Sequence, residues 1–268
     1  SNTALGLGSL FSNTTASDNT AVGYQAGYSN TTGNTMAAFG YWALKANTTG
    51  RNTGIGGYAL ATNTTGTKNS AFGDSAIYLN TTGNYNTAVG YTALFSNTTA
   101  SDNTAVGYQS LYANTTGANN TAVGKNALYA NTSGSGNTAV GYHAGENHVT
   151  GKNNTFVGYR VADTGSQIVG NGNTAIGSHL DGVIEGPFAN LTSGAYNSAM
   201  GGGALKSLTT GSNNVAIGVK SLSQNNTASD NTAVGYQSLL SNTTGTANAA
   251  FGHQALDGNT TGSYNTAI

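Results

Sequence analysis

Apolar and polar positions recur along this chain with a period far longer than that of a helix or a strand. With the Asn of Asn-Thr-Ala-Val-Gly as position 1, units begin at Asn2, Asn19, Met36, Asn52, Asn69, Asn86, Asn103, Asn120, Asn137, Asn154, Asn173, Asn197, Asn214, Asn231, Asn248 and Asn265. The spacing is 17 residues except for 16 after Met36, 19 after Asn154 and 24 after Asn173, and the consensus reads NTAVGYxALxxNTTGxx. Seventeen residues cannot hold the two helices of an α-solenoid repeat, and a heptad does not divide them. Gly fills position 5 of every complete unit, and each would cost a helix about 1 kcal/mol. Thr, Val, Tyr and Ala-Leu segments alternate with Asn-Thr-Thr-Gly and Ser-Asp-Asn clusters, which predicts short strands joined by tight turns. One unit per coil gives an all-β fold, a parallel β-solenoid of about sixteen 17-residue coils.

Single positions followed through the units define two faces. Position 4 is apolar throughout, with Val22, Phe39, Val89, Val106, Val123, Val140 and Val234 among its members, and position 3 is Ala except at Gly54 and Phe156. Neighbours on a strand point to opposite faces, so small Ala and Gly residues face one way and the large apolar row the other. A narrow coil has one interior, so the second apolar face predicts a covering surface, most economically another copy of the chain. The small residues fill a thin interior, and the row, at about 1.5–3 kcal/mol per fully buried side chain, drives association. Ordering one coil costs on the order of 17–34 kcal/mol of backbone entropy, so a single coil cannot stand alone.

Composition narrows the function classes. Charged residues are 6% of the chain, against roughly 25% in an ordinary globular domain. Eight Lys and Arg face nine Asp and Glu, which leaves no basic field for a nucleic acid or an anionic membrane. There is no Cys, so neither disulfides nor thiolate metal sites are available. No apolar run reaches the roughly 20 residues of a membrane helix. The acids are scattered, three of them at one repeated turn position (Asp18, Asp102, Asp230), and no nucleophile-base or paired-carboxylate group can be assembled. The expectation is a non-enzymatic structural protein without cofactors. Residues 1–268 read as one repetitive segment of a longer chain, because both ends fall inside a repeat.

At Asn19 to Ala26 and Asn103 to Ser110 the chain reads Asn-Thr-Ala-Val-Gly-Tyr-Gln followed by Ala or Ser. It resembles there the repeat-rich tail-fibre proteins of bacteriophages and bacteria, and the heads of trimeric autotransporter adhesins, which carry a similar Ala-x-Gly-x-x-Ala or -Ser rhythm. The resemblance covers nearly the whole chain, with a period longer than that of adhesin heads. It implies a left-handed β-roll, a homotrimer, and an extracellular, cell-surface or virion-surface role as a fibre shaft or head in attachment. Its partners would be further copies of itself and a host surface glycan or protein. The runner-up is a surface filament or sheath whose subunits join end to end through unpaired strand edges.

Several positions carry candidate chemistry. The motifs at Asn13, Asn30, Asn47, Asn80, Asn97 and Asn114 match the N-glycosylation pattern. Asn repeated at a turn also predicts an amide ladder between coils, which is the stronger reading. Tyr24, Tyr41, Tyr91, Tyr108, Tyr142, Tyr159 and Tyr236 at position 6 predict stacking between coils in preference to sugar binding. Paired Thr such as Thr14-Thr15 raise ice binding, weakly, since adjacent residues on a strand face apart. The long units place irregular loops within 160–172 and 178–196, where Asp163, Gln167, Asp181 and Glu185 mark a candidate recognition surface. His143, His148 and His179 lie near Asp181 and Glu185 in the chain, but no spacing fixes a metal geometry, and no metal site is assigned.

Overall fold

In the computed structural model, which describes residues 1–163 and 167–268, the chain is an all-β parallel β-solenoid of about fifteen turns. No helix occurs among the described residues. The chain divides into two compact units, Ser1–Ser133 and Gly134–Ile268.

The first unit holds β1 (Thr3–Leu5), β2 (Thr20–Val22), β3 (Ala37–Phe39), β4 (Thr53–Ile55), β5 (Ser70–Phe72), β6 (Thr87–Val89), β7 (Thr104–Val106) and β8 (Thr121–Val123). The second holds β9 (Thr138–Val140), β10 (Thr155–Val157), β11 (Thr174–Ile176), β12 (Ser198–Met200), β13 (Val215–Ile217), β14 (Thr232–Val234), β15 (Ala249–Phe251) and β16 (Thr266–Ala267). Within each unit consecutive strands pair in parallel, like position on like. Thr87, Ala88 and Val89 of β6 face Thr104, Ala105 and Val106 of β7, and Val215, Ala216 and Ile217 of β13 face Thr232, Ala233 and Val234 of β14.

Each coil contributes a single three-residue strand. The Ala-Leu segment, read from the sequence as strand-like, instead forms consecutive turns. The Ala93 N–H donates to the Gly90 carbonyl and the Asn97 N–H to that of Leu94, both at 3.4 Å. Leu94 sits at φ 54°, and Leu111, Leu128, Leu205, Leu222 and Leu239 repeat that conformation. Left-handed backbone costs an L-residue about 1–2 kcal/mol. These leucines are fully buried, and burial of a Leu side chain contributes about 1.5–3 kcal/mol, which offsets the strain. Leu can therefore hold position 9 because that position is interior. The turns are tied to neighbouring coils, as where the Leu94 N–H donates to the Ser110 carbonyl (2.9 Å).

The interior is thus Ala, Leu and two columns of Asn. At position 1, the Asn86 N–H donates to Oδ1 of Asn69 (2.9 Å) and the Asn86 Nδ2 to the Ala100 carbonyl (2.9 Å). At position 12, the Asn97 Nδ2 donates to Oδ1 of Asn80 (2.8 Å) and to the Ala100 carbonyl (3.0 Å). A buried amide is costly unless its hydrogen bonds are made. Stacking like coils in register supplies most of these Asn with equivalent partners. Gly at position 5 has a different cause: Gly90 lies at φ 138°, and a Cβ there would stand 2.4 Å from the Gly107 carbonyl oxygen.

The coil that begins at Asn173 is seven residues longer than the common 17. The His179 N–H donates to the Tyr159 carbonyl (2.9 Å) and the Gly203 N–H to the Glu185 carbonyl (2.8 Å). The extra residues therefore leave the wall between Ser178 and Gly186. They fold into a tight hairpin in which the Leu180 and Ile184 backbones exchange hydrogen bonds of 2.7 and 3.0 Å around Gly182. Pro187 and Phe188 then re-enter the wall, and both are buried.

Candidate functional site

The position-4 row lies on the outer face of the strands. Phe39, Val89, Val123 and Val140 are 36–40% exposed, and Val22, Val106 and Val234 are half-buried. In the first unit the row runs Val22 to Phe39 and Phe72 to Val89, Val106 and Val123 across paired strands. In the second, Val140 faces Val157 and Ile217 faces Val234. Each unit thereby carries a ridge of apolar side chains beside the Tyr column of position 6.

The rings of that column stack on one another. Tyr24 and Tyr41 lie 5.2 Å apart, Tyr91 and Tyr108 5.6 Å, and Tyr142 and Tyr159 5.3 Å, with interplanar angles of 17°, 13° and 11°. Rings packed face to face cover the faces they share and turn their edges to solvent. A second ladder at position 10, Tyr78, Phe95, Tyr112 and Tyr129, is stacked at 5.2–5.3 Å. It was legible as aromatics at 17-residue spacing, but the consensus left position 10 blank.

Of the asparagines that match the glycosylation pattern, Asn30, Asn47, Asn80, Asn97 and Asn114 are fully buried, and Asn13 is half-buried. The Nδ2 atom that would carry a sugar is already the donor of the ladder, as at Asn80, Asn97 and Asn114 toward the preceding coil. The Thr that follows is part of a third ladder, in which the Thr81 Oγ1 donates to the Thr98 carbonyl (3.0 Å). These Thr lie in turns, with hydroxyls already bonded between coils.

The charged residues of the second unit gather near the long coils. The Arg160 Nε donates to Asp163 (2.7 Å) and its Nη1 to Asp181 (2.8 Å), so one guanidinium ties together acids from both lengthened units. Those partners hold the Arg160 pKa above its ordinary value, with the Asp163 hydrogen bond the largest cause. His143 bonds Glu146, and the ligating atoms of His143, Glu146 and Asp163 lie within 4.8 Å of one another. Glu146 was not singled out from the sequence. This group reads as two side-chain pairs in consecutive coils, the His143–Glu146 hydrogen bond and the Arg160–Asp163 ion pair. His148 stands apart, buried at position 12 beside Ile168, with its Nε2 2.9 Å from the Gly151 carbonyl. Gln167 is exposed and joins none of these groups, and residues 164–166 of the first expected loop lie outside the described residues.

Glu185 and the hairpin open a cavity of 390 Å³ lined by His179, Leu180, Gly182, Val183, Ile184, Glu185, Gly203, Lys206 and Lys220. Lys206 Nζ stands 3.6 Å from Glu185. The hairpin tip is apolar and open, with Leu180 and Val183 well exposed. Neither lysine was identified from the sequence, because each sits at an ordinary variable position of a regular coil. Only the hairpin brings them together.

Ridge and cavity belong to a tandem-repeat parallel β-solenoid protein, which is the class that the fold defines. No protein-family model matches the chain, and no curated protein sequence matches it. No helix among the described residues is long and apolar enough to cross a membrane.

Proposed function

We propose that this chain is a non-enzymatic structural segment of an extracellular attachment fibre, whose copies associate laterally through the position-4 ridge. One observation carries the reading: large apolar side chains recur at the same outward position coil after coil, while the interior is already filled by Ala, Leu and Asn. Outward Val, Ile, Phe and Met give each unit an apolar stripe of the kind that marks association surfaces. A homotrimer of left-handed β-rolls, as the resemblance to tail fibres and adhesin heads implies, would cover that stripe symmetrically.

Sedimentation and electron microscopy of the purified chain test this. Trimers of uniform length are expected, and the pair Val106→Asp and Val123→Asp should give monomers with the wild-type far-ultraviolet spectrum. Aspartate at the exposed turn residues Thr99 and Thr116 should leave assembly intact. A wild-type chain that sediments as a monomer at all concentrations would end the proposal, and indefinite polymers would point to end-to-end filament growth.

A further inference from the structure

The hairpin cavity is built, in the sense that its floor is cleared by a pair of glycines that occur together in one coil. Position 6 is most often Tyr and position 7 a residue with a side chain, yet the coil that begins at Asn197 has Gly202 and Gly203 there. A Cβ at Gly202 would stand 2.8 Å from Cγ2 of Ile184, and one at Gly203 would meet Cγ of Lys220 at 3.3 Å and Ile184 at 3.7 Å. The two glycines let the hairpin lie over the neighbouring coil, and the hollow that remains is the cavity.

Its charge is unbalanced. The chain has eight Lys and Arg in 268 residues, and two of them, Lys206 and Lys220, line this one hollow. Lys206 is paired with Glu185. The acid at Asp181 is taken up by Arg160 and His179. The Gly186 N–H donates to Nδ1 of His179 (3.3 Å), so its Nε2 carries the hydrogen directed to Asp181. Lys220 makes no ion pair among the described residues. The remaining wall is aliphatic, from Leu180, Val183 and Ile184. At 390 Å³ the hollow falls at the small end of ligand cavities, which run about 300–1,000 Å³. That is far more room than an inorganic anion needs and suits one sugar ring with its substituents.

We infer that the cavity binds a carboxylate-bearing sugar, with the carboxylate on Lys220 and the ring against the aliphatic hairpin. The inference rests on the attachment reading for its purpose, since it names the class of surface glycan recognised. Saturation-transfer NMR and calorimetry with glucuronate, glucose and inorganic phosphate test it on the full chain. Glucuronate should bind at millimolar concentration, and glucose and phosphate at least tenfold more weakly. Lys220→Gln should lower glucuronate affinity at least fivefold, and Lys68→Gln, in the other unit, should not change it. Gly202→Leu, which pushes Ile184 into the hollow, should abolish binding; if it perturbs the fold, Lys220→Gln decides alone. Equal binding of glucuronate and phosphate, no glucuronate binding, or an unchanged Lys220→Gln would overturn the site. If those failures came from a chain that still forms trimers, the fibre reading would stand without the pocket. Specific glucuronate binding by a chain that never assembles would leave the pocket and remove the fibre.

Discussion

His148 offers a perturbation whose size follows from its surroundings. It occupies position 12, where most coils have Asn, and is fully buried. Its Nε2–H donates to the Gly151 carbonyl (2.9 Å), its ring meets that of Phe156 edge-on at 5.5 Å, and Nδ1 has no partner. Desolvation penalises the imidazolium and lowers the pKa from 6.5 to about 4, with the Gly151 hydrogen bond opposing the shift. Because the folded pKa is depressed, the unfolded chain takes up a proton first. Stability is full above pH 6.5 and falls by about 1.4 kcal/mol per pH unit as the pH drops toward 4. Between pH 7.5 and 5 the loss from this residue is about 2 kcal/mol. His148→Asn removes the titrating ring and should remove that dependence. Hydrogen exchange at backbone amides of the coils around His148, compared between wild type and variant at both pH values, measures it locally, which suits a repeat protein that need not unfold as one unit. An equal pH dependence in both proteins, or a His148 ring signal titrating near 6.5, would refute the reasoning.

Other expectations follow from single contacts. Gly90→Ala places a Cβ 2.4 Å from the Gly107 carbonyl oxygen at φ 138° and should cost about 3 kcal/mol or more, seen as lost exchange protection along β6 and β7. Asn97→Ala leaves Oδ1 of Asn80 and Nδ2 of Asn114 without their ladder partner and should cost about 2–4 kcal/mol in denaturant unfolding. Mass spectrometry of folded chain exposed to a glycosylating extract should find Asn97 and Asn114 unmodified, because their Nδ2 atoms are buried and donated. Thr35 is exposed at φ 57°, a conformation poor for a β-branched residue, so Thr35→Gly should raise stability by about 0.5–1 kcal/mol.

The amino-acid pattern by itself determined the repeat, the parallel register and the outward apolar row, because all three are properties of a period. Identical units stacked in register place like residue on like, so Val89 over Val106 follows from the 17-residue spacing alone. The position-12 amide ladder was legible for the same reason. The shape of each coil was not. Ala-Leu was read as strand-like on local preference, but a closed coil needs tight turns, and buried Leu94 holds left-handed backbone that its local preference opposes. Burial is a property of the closed coil, so no window of sequence reports it. The cavity was hidden for a related cause. Glu185 stood out as part of an insertion, whereas Lys206, Lys220 and Gly202 come from other coils and meet it only because the hairpin folds back across the stack. Contacts between a regular wall and an irregular loop have no period, and tertiary structure alone decides them.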